Sequence, residues 1–206
     1  MSSLPRSEFI SLRQSKNVRI VELESTDFTN RLTRARVLDL ITALDSMRTD
    51  PLPLVITGNQ KFFSAGADLN EIAALTGTTA HQFAQLGQQL MNVVAGFPAP
   101  VCAAINGYCM GGGLDLALAC HYRIANPDAI LAHRGASLGL ITGWGGTQRL
   151  SRIIGKPTAL QMFVAAEKIG AKSALKSGLI DHIAKDPVHY AVSFLRNLSD
   201  PAQSLK

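Results

Sequence analysis

The chain has 206 residues, of which 47% are apolar and 17% are charged, with a formal net charge of +5. This balance is that of an ordinary globular protein, and it excludes a disordered chain. Its lysines and arginines are scattered, without a basic run or an aromatic-interleaved basic stripe. We therefore expect no nucleic-acid partner, and the length suits one domain with a sizeable core.

The N-terminal stretch and the cysteines indicate a compartment. Residues 1–15 contain no apolar segment of signal-peptide length, and no apolar run is long enough to span a bilayer. Cys102, Cys109 and Cys120 lie in apolar or glycine-rich surroundings and form no C-x-x-C pair. This pattern is typical of buried thiols in a reducing compartment. We expect a soluble protein of the cytoplasm that does not associate with membranes.

The first half of the chain alternates between strand and helix patterns. In chain order it predicts a strand at 18–23, a helix at 33–47, a strand at 52–57, a small-residue loop at 62–69 and a helix at 81–94. Thr33 is placed to cap the first helix. Leu38, Ile41, Leu44 and Met47 are spaced so that they form its apolar face.

The second half continues the alternation. It predicts strands at 101–105, 122–125, 130–132 and 179–184, a glycine-rich loop at 106–113, and helices at 114–120, 147–154, 157–168 and 173–177. The segment after Pro187 has helical character but little length. Strands that alternate with helices indicate an α/β protein with parallel pairing. No linker or repeat interrupts the pattern, so we expect one domain over 1–206, with its core at about 18–184.

Two loops built from small residues carry the chemistry. Each follows a predicted buried strand, and glycine lets backbone amides approach a ligand closely. The second loop also opens a helix, so its amides lie at the positive end of the helix dipole. Two amides that converge on one carbonyl oxygen make an oxyanion hole. Either loop alone fits a simple turn or a close strand–helix contact equally well, whereas their order and spacing favour a function.

Three segments resemble the enoyl-CoA hydratase/isomerase (crotonase) superfamily. They are FSAGADL at 63–69, PVCAAINGYCMGGGLDLA at 100–117 and GGTQRL at 145–150. The resemblance covers about 18–183. It implies a ClpP/crotonase-like α/β spiral of ββα units with flanking helices. Relatives usually continue into a longer C-terminal helical region, which we expect to be short or missing here, since only 187–206 follow the last predicted strand.

The resemblance also implies site residues. The amides of Ala67 and Gly112 would bind the thioester oxygen, and coenzyme A would arrive as part of the substrate rather than as a separate cofactor. The residues expected to bind the substrate are Ala65, Gly66, Asp68, Leu69, Asn70 and Gly111. Asp68 is also placed to cap the helix that follows it. We expect no metal, because no Cys/His/carboxylate cluster has ligand spacing.

The acid and base residues depart from the family pattern. Hydratases of the family carry two catalytic glutamates, whose positions fall here at Asp115 and Gly135. Asp115 is either catalytic or a stabiliser of the helix dipole, and both interpretations stay open. His133 and Arg134 are interpreted as solvated loop residues, with the alternative that one replaces the lost acid. Because hydration needs an acid and a base, we expect slow hydration of crotonyl-CoA and a gain from Gly135→Glu.

Three functions remain under consideration. The first is an acyl-CoA enzyme of the hydratase/isomerase class, a lyase or isomerase of fatty acid metabolism that stabilises a thioester enolate. The second is a crotonase-fold decarboxylase or thioesterase with an altered acid/base set. The third is a non-catalytic acyl-thioester-binding subunit. The resemblance and the short C-terminal segment further predict a homo-oligomer, either a trimer or a hexamer built from two trimers.

Overall fold

A computed structural model describes residues 8–199. The larger of its two sheets has six strands, which are, in spatial order, β1 (Ile10–Ser15), β2 (Val18–Leu23), β3 (Leu54–Thr57), β5 (Val101–Ile105), β7 (Tyr122–Ala125) and β10 (His182–Ile183). The smaller sheet contains β4 (Phe62–Ser64), β6 (Tyr108–Met110), β8 (Ile130–Ala132) and β9 (Lys168–Gly170). Neighbouring strands are parallel except for the β1–β2 and β8–β9 pairs.

Eight α-helices lie within the described residues. They are α1 (Arg34–Ser46), α2 (Leu69–Ala73), α3 (Gly77–Ala95), α4 (Gly112–Ala119), α5 (Gly146–Ile154), α6 (Lys156–Ala165), α7 (Ala171–Lys176) and α8 (Pro187–Ser199). Three times, a strand of the larger sheet leads to a strand of the smaller sheet and then to a helix: β3–β4–α2, β5–β6–α4 and β7–β8–α5. This repetition is the predicted spiral of ββα units, and it confirms the α/β fold class.

The larger sheet separates two apolar layers. Every residue of β3 and β5 is buried, as expected for parallel strands that are covered on both faces. Alternate side chains such as Leu54 and Ile56 enter the main core with α1, α3 and α4, whereas Val55 and Cys102 face α8. Helix α8 therefore covers the second face of the sheet.

Most of the longer elements lie where the sequence predicts them. The strands at 18–23, 101–105, 122–125 and 130–132 have the predicted limits. Thr33 caps α1, since its hydroxyl accepts from the amide of Arg36 at 3.3 Å. The predicted apolar face of α1 is wrong at Leu38, which is 53% exposed. Steps of three residues drift around a helix of 3.6 residues per turn, so the start of that stripe turns toward solvent.

The differences concern short or terminal elements. The two predicted loops each contain a three-residue strand, β4 and β6. The helix predicted at 157–168 ends at Ala165, because Ala166 has a φ of +51° and the chain then forms β9. Strand β1 and helix α8 lie outside the predicted core at 18–184, and both pack against it. The rest of the predicted C-terminal segment, at 200–206, lies outside the described residues.

Candidate active site

A cavity of about 1090 Å³ lies where the loops that follow the second strand of each ββα unit meet. Strands β4, β6 and β8 are parallel neighbours, so their carboxyl ends lie side by side at one edge of the smaller sheet. Ala67 follows β4, Gly112 follows β6 and His133 follows β8, and all three line the cavity. The topology thus brings together residues that are far apart in the sequence.

The two predicted amides belong to residues that lie close together in the lining of this cavity. Gly66 and Gly111 have φ values of +94° and +50°, a region that favours glycine, and each turns its loop just before the amide. A Cβ on Gly112 would lie 3.2 Å from the amide nitrogen of Ala67. The two nitrogens are therefore less than about 6 Å apart, a separation that an oxygen at about 3 Å from each nitrogen would span. Within residues 8–199, neither amide donates to a protein acceptor.

The residues predicted to bind the substrate divide into two groups. Ala65, Leu69 and Gly111 line the cavity, whereas Gly66, Asp68 and Asn70 lie outside its lining. The predicted cap at Asp68 is confirmed. Its Oδ1 accepts from the amides of Asn70 at 2.9 Å and Glu71 at 3.1 Å, and the Glu71 amide lowers the pKa of this carboxyl.

Asp115 points from the first turn of α4 to the cavity, with 1% exposure. Its Oδ2 accepts a hydrogen bond from the hydroxyl of Thr142, and its Oδ1 lies 3.2 Å from Nε2 of His133. Among the described residues, no amide of the first turn donates to this carboxylate. Asp115 therefore interacts with two side chains of the cavity rather than capping its own helix.

His133 lies in an environment other than the one favoured from the sequence. It is 3% exposed, so its assignment as a solvated loop residue is wrong, whereas that assignment is confirmed for Arg134. The ring packs against Phe163 of α6 with centroids 5.0 Å apart. The sequence signal for a place at the cavity was the position of His133, because it follows β8 in the same way as the loop that carries Ala67 follows β4.

Trp144 and Gly135 shape the walls. The indole of Trp144 packs on Phe83, donates to its carbonyl at 3.3 Å, and lies so close to Gly112 that a Cβ there would be 2.7 Å from the ring. Trp144 is therefore a buried packing residue of the cavity wall. Gly135 accepts a hydrogen bond from the amide of Leu140 at 2.9 Å, and a Cβ on Gly135 would lie 2.7 Å from the Leu140 carbonyl oxygen. The loop has no room for a side chain at that position.

Two further features of the site concern metals and thiols. In the part of the chain that the structure describes, no group of three or more His, Cys, Asp or Glu side chains could hold a metal ion. Cys102, Cys109 and Cys120 are buried and free, as predicted. Burial raises the pKa of the Cys120 thiol to about 12, so this sulfur does not supply a nucleophile.

The spiral of ββα units, with two glycine-shaped loops at one cavity, defines an α/β protein of the crotonase fold. The family model for enoyl-CoA hydratase/isomerase matches residues 13–205, and the chain belongs to that family. It is 44% identical over 160 residues to a protein named probable enoyl-CoA hydratase from Bacillus subtilis (strain 168). That match covers 76% of this chain and 62% of the relative, so the chain spans less than two thirds of that relative's length.

Solved structures agree with this assignment. Pseudomonas aeruginosa DspI superposes with a TM-score of 0.90 at 30% identity, over 96% of this chain and 77% of that one. An enoyl-CoA hydratase from Bacillus anthracis superposes with a TM-score of 0.88 at 31% identity, over 93% of this chain and 77% of that one. Between residues 8 and 199, no helix is both long and apolar enough to cross a bilayer.

Proposed function

We propose that the protein binds an acyl-CoA thioester and stabilises its enolate at the amides of Ala67 and Gly112. The observation that carries this proposal is the proximity of two unpaired amide donors at one point of a largely apolar cavity. A thioester oxygen at that point accepts both hydrogen bonds. As the enolate forms, charge develops on this oxygen and the bonds strengthen, which makes the adjacent carbon more acidic.

The side chains that line the cavity indicate the remaining substrate contacts. The acyl group lies against Leu140, Ile141, Leu160 and Val164, and the coenzyme A part passes the loop at 65–70, where Leu69 is 54% exposed. The net charge of +5 also favours a polyanionic ligand. In this proposal, coenzyme A enters with the substrate, and the reaction uses no separate cofactor.

The reaction class we propose first is hydratase or isomerase chemistry, because the chain belongs to the enoyl-CoA hydratase/isomerase family and both reactions use a thioester enolate. Decarboxylation of a malonyl-type thioester, or thioester hydrolysis, is the second candidate. The observation that favours it is the closed loop at Gly135, which leaves no place for the second carboxylate. A non-catalytic thioester-binding subunit would bind the same ligands without turnover.

The test separates binding from turnover. Calorimetric titration with crotonyl-CoA, a β,γ-enoyl-CoA and malonyl-CoA measures Kd, and product analysis of the same three thioesters assigns the reaction. Ala67→Pro removes one amide donor and should lower the rate by about 10²–10³-fold. Ala67→Gly keeps the donor and should lose far less. If none of the thioesters binds, the proposed function is wrong; binding without any product identifies the non-catalytic alternative.

The location and assembly are also proposals. Three buried free thiols support the cytoplasm as the compartment. A rim of exposed apolar side chains around the cavity mouth supports a homotrimer or a hexamer: Leu138 is 57% exposed, Ile141 73%, Leu160 63% and Val164 71%. Multi-angle light scattering at micromolar concentration should give a mass at least three times that of one chain, and a monomer mass would contradict this assembly.

A further inference from the structure

Two buried polar atoms at the cavity lack a satisfying partner. Oδ1 of Asp115 and Nε2 of His133 lie 3.2 Å apart, yet neither makes a hydrogen bond of acceptable geometry within residues 8–199. Their side chains are 1% and 4% exposed, and both residues line the cavity. Unsatisfied buried polar atoms destabilise a fold, and in native structures they mark strain, function or an absent bound group. The Asp115–His133 pair is therefore a candidate functional group of the cavity.

The surroundings hold the two groups face to face. The hydroxyl of Thr142 donates to Oδ2 of Asp115, which leaves Oδ1 directed at the imidazole. The ring of Phe163 packs against the imidazole, with the two ring centroids 5.0 Å apart. Gly146 contributes no side chain at the point where Asp115 and His133 meet. Thr142 thus fixes the carboxylate and Phe163 fixes the imidazole. Such an arrangement orients a proton-transfer group.

We propose that His133 is the catalytic proton-transfer residue of the thioester reaction, and that Asp115 and Thr142 are positioning residues that orient it. The inference rests on the proposed function and names the group that performs its acid/base step. The charge that develops on the imidazole during proton transfer would lie 3.2 Å from a buried carboxylate, which stabilises it. One imidazole, used first as base and then as acid, would perform the work that the family assigns to two glutamates.

The step balances without any further reactant. Nδ1 of the imidazole, the nitrogen that does not face Asp115, accepts a proton from the carbon adjacent to the thioester carbonyl. The C–H electron pair becomes the new carbon–carbon π bond, and the carbonyl π pair moves to the oxygen held by the amides of Ala67 and Gly112. The imidazolium then returns its proton to the same carbon or to another carbon of the acyl chain, and the enolate reverts to a thioester.

The experiment measures this step alone. Butyryl-CoA is incubated with the protein in D₂O, and exchange of its α-protons is followed by NMR, while calorimetry gives its Kd. We expect His133→Gln to reduce the exchange rate by about 10²-fold or more, with Kd within about threefold of wild type. The control is His189→Gln, an exposed histidine of α8. It should exchange at the wild-type rate.

Two further variants distinguish catalysis from structure. Added imidazole should restore exchange to His133→Ala in a saturable manner, which a purely structural histidine would not allow. Thr142→Val should slow exchange by about tenfold without loss of binding, since it removes the hydrogen bond to Asp115 and otherwise only a long bond, of 3.3 Å, from the amide of Trp144. Circular dichroism identifies the variants that fold. If His133→Gln does not fold, His133→Asn is used in its place.

The outcomes separate this inference from the proposed function. Exchange by folded His133→Gln within about threefold of wild type would overturn the role of His133 and leave thioester binding intact. Binding of butyryl-CoA without exchange by the wild-type protein would do the same. Failure of the wild-type protein to bind any acyl-CoA would overturn both proposals.

Discussion

Gly146 and Asp115 are in such close contact that a Cβ on Gly146 would lie 2.0 Å from Oδ1 of the carboxylate. The same atom would lie 3.0 Å from Nε2 of His133. The first residue of α5 must therefore be glycine for the carboxylate and the imidazole to face each other. This relationship gives a structural reason for one glycine of the Gly-Gly-Thr segment that the sequence shares with the family.

Gly146→Ala should separate Asp115 from His133. The added methyl forces one of the two side chains to move, and we expect α-proton exchange to fall by about tenfold or more, with a destabilisation of about 1–3 kcal/mol from overpacking. The measurements are NMR exchange and urea unfolding. Gly77→Ala is the control, because a Cβ at Gly77 meets nothing within 4 Å. Wild-type exchange in Gly146→Ala would show that the close approach of these residues is irrelevant to the reaction.

Gly135→Glu should not restore hydratase activity, contrary to the expectation from the sequence alone. The new Cβ would lie 2.7 Å from the carbonyl oxygen of Leu140, so the loop must open before a carboxylate fits. We expect no gain in crotonyl-CoA hydration and a loss of about 1–3 kcal/mol in unfolding free energy. Gly170→Glu, where a Cβ meets nothing within 4 Å, should be nearly neutral. A clear rise in hydration rate would revive the two-carboxylate interpretation.

The sequence predicts elements well where burial leaves a local pattern. Val101–Ile105 is an apolar run because β5 is covered on both faces, and its limits are those predicted. Strands β4 and β6 leave no such pattern. Phe62 pairs with Tyr108, and Tyr108 pairs with Ile130, so these short strands exist only through partners that are distant in the sequence. Local propensity over three residues carries too little information to reveal them.

Likewise, only the part of the site that forms a local sequence motif could be predicted from the sequence. The loops that carry Ala67 and Gly112 were recognisable, because their small residues form a local motif, and the structure brings them together. The pairing of His133 with Asp115 was not, because it depends on how β8 ends and on the packing of Phe163 from α6. From the sequence, a histidine next to an arginine in a loop is expected to be exposed like the arginine. Only the tertiary structure shows that the histidine is buried and the arginine is not.

Affinity should increase with the length of the acyl chain. Exposed apolar side chains extend the cavity outward, and Ile141 is 73% exposed. Full burial of a methylene contributes about 0.8 kcal/mol, so partial burial should lower Kd by about two- to threefold per carbon from C4 to C10. Calorimetry with saturated acyl-CoAs measures this slope. Ile141→Ser should flatten it, whereas Leu38→Ser, an exposed leucine of α1 away from the cavity, should leave it unchanged. A slope of zero in the wild-type protein would contradict an acyl-binding role for this wall.

The turn at Asp27 should make the loop that carries Ala67 sensitive to acid. Oδ1 of Asp27 accepts from the amide of Thr29 at 3.0 Å, and this bond, followed by that from the Thr29 hydroxyl, lowers the pKa of Asp27 to about 2. The carbonyl of Thr29 in turn accepts from the amide of Ala65 at 2.9 Å, two residues before Ala67. The charged carboxylate therefore supports the turn against which that loop is held.

Because the folded pKa is lowered from 3.8, the stabilisation is fully present above about pH 4 and is lost as the pH falls toward 2. Asp27→Asn should thus lower Tm by about 1–3 °C at pH 6, and the difference from wild type should shrink on acidification. Thermal melts by circular dichroism at pH 6, 4, 3 and 2.5 measure this convergence. Asp128→Asn, at another exposed aspartate, is the matched control and should show no convergence. A Tm difference for Asp27→Asn that is as large at pH 2.5 as at pH 6 would show that its carboxylate does not hold the turn through its charge.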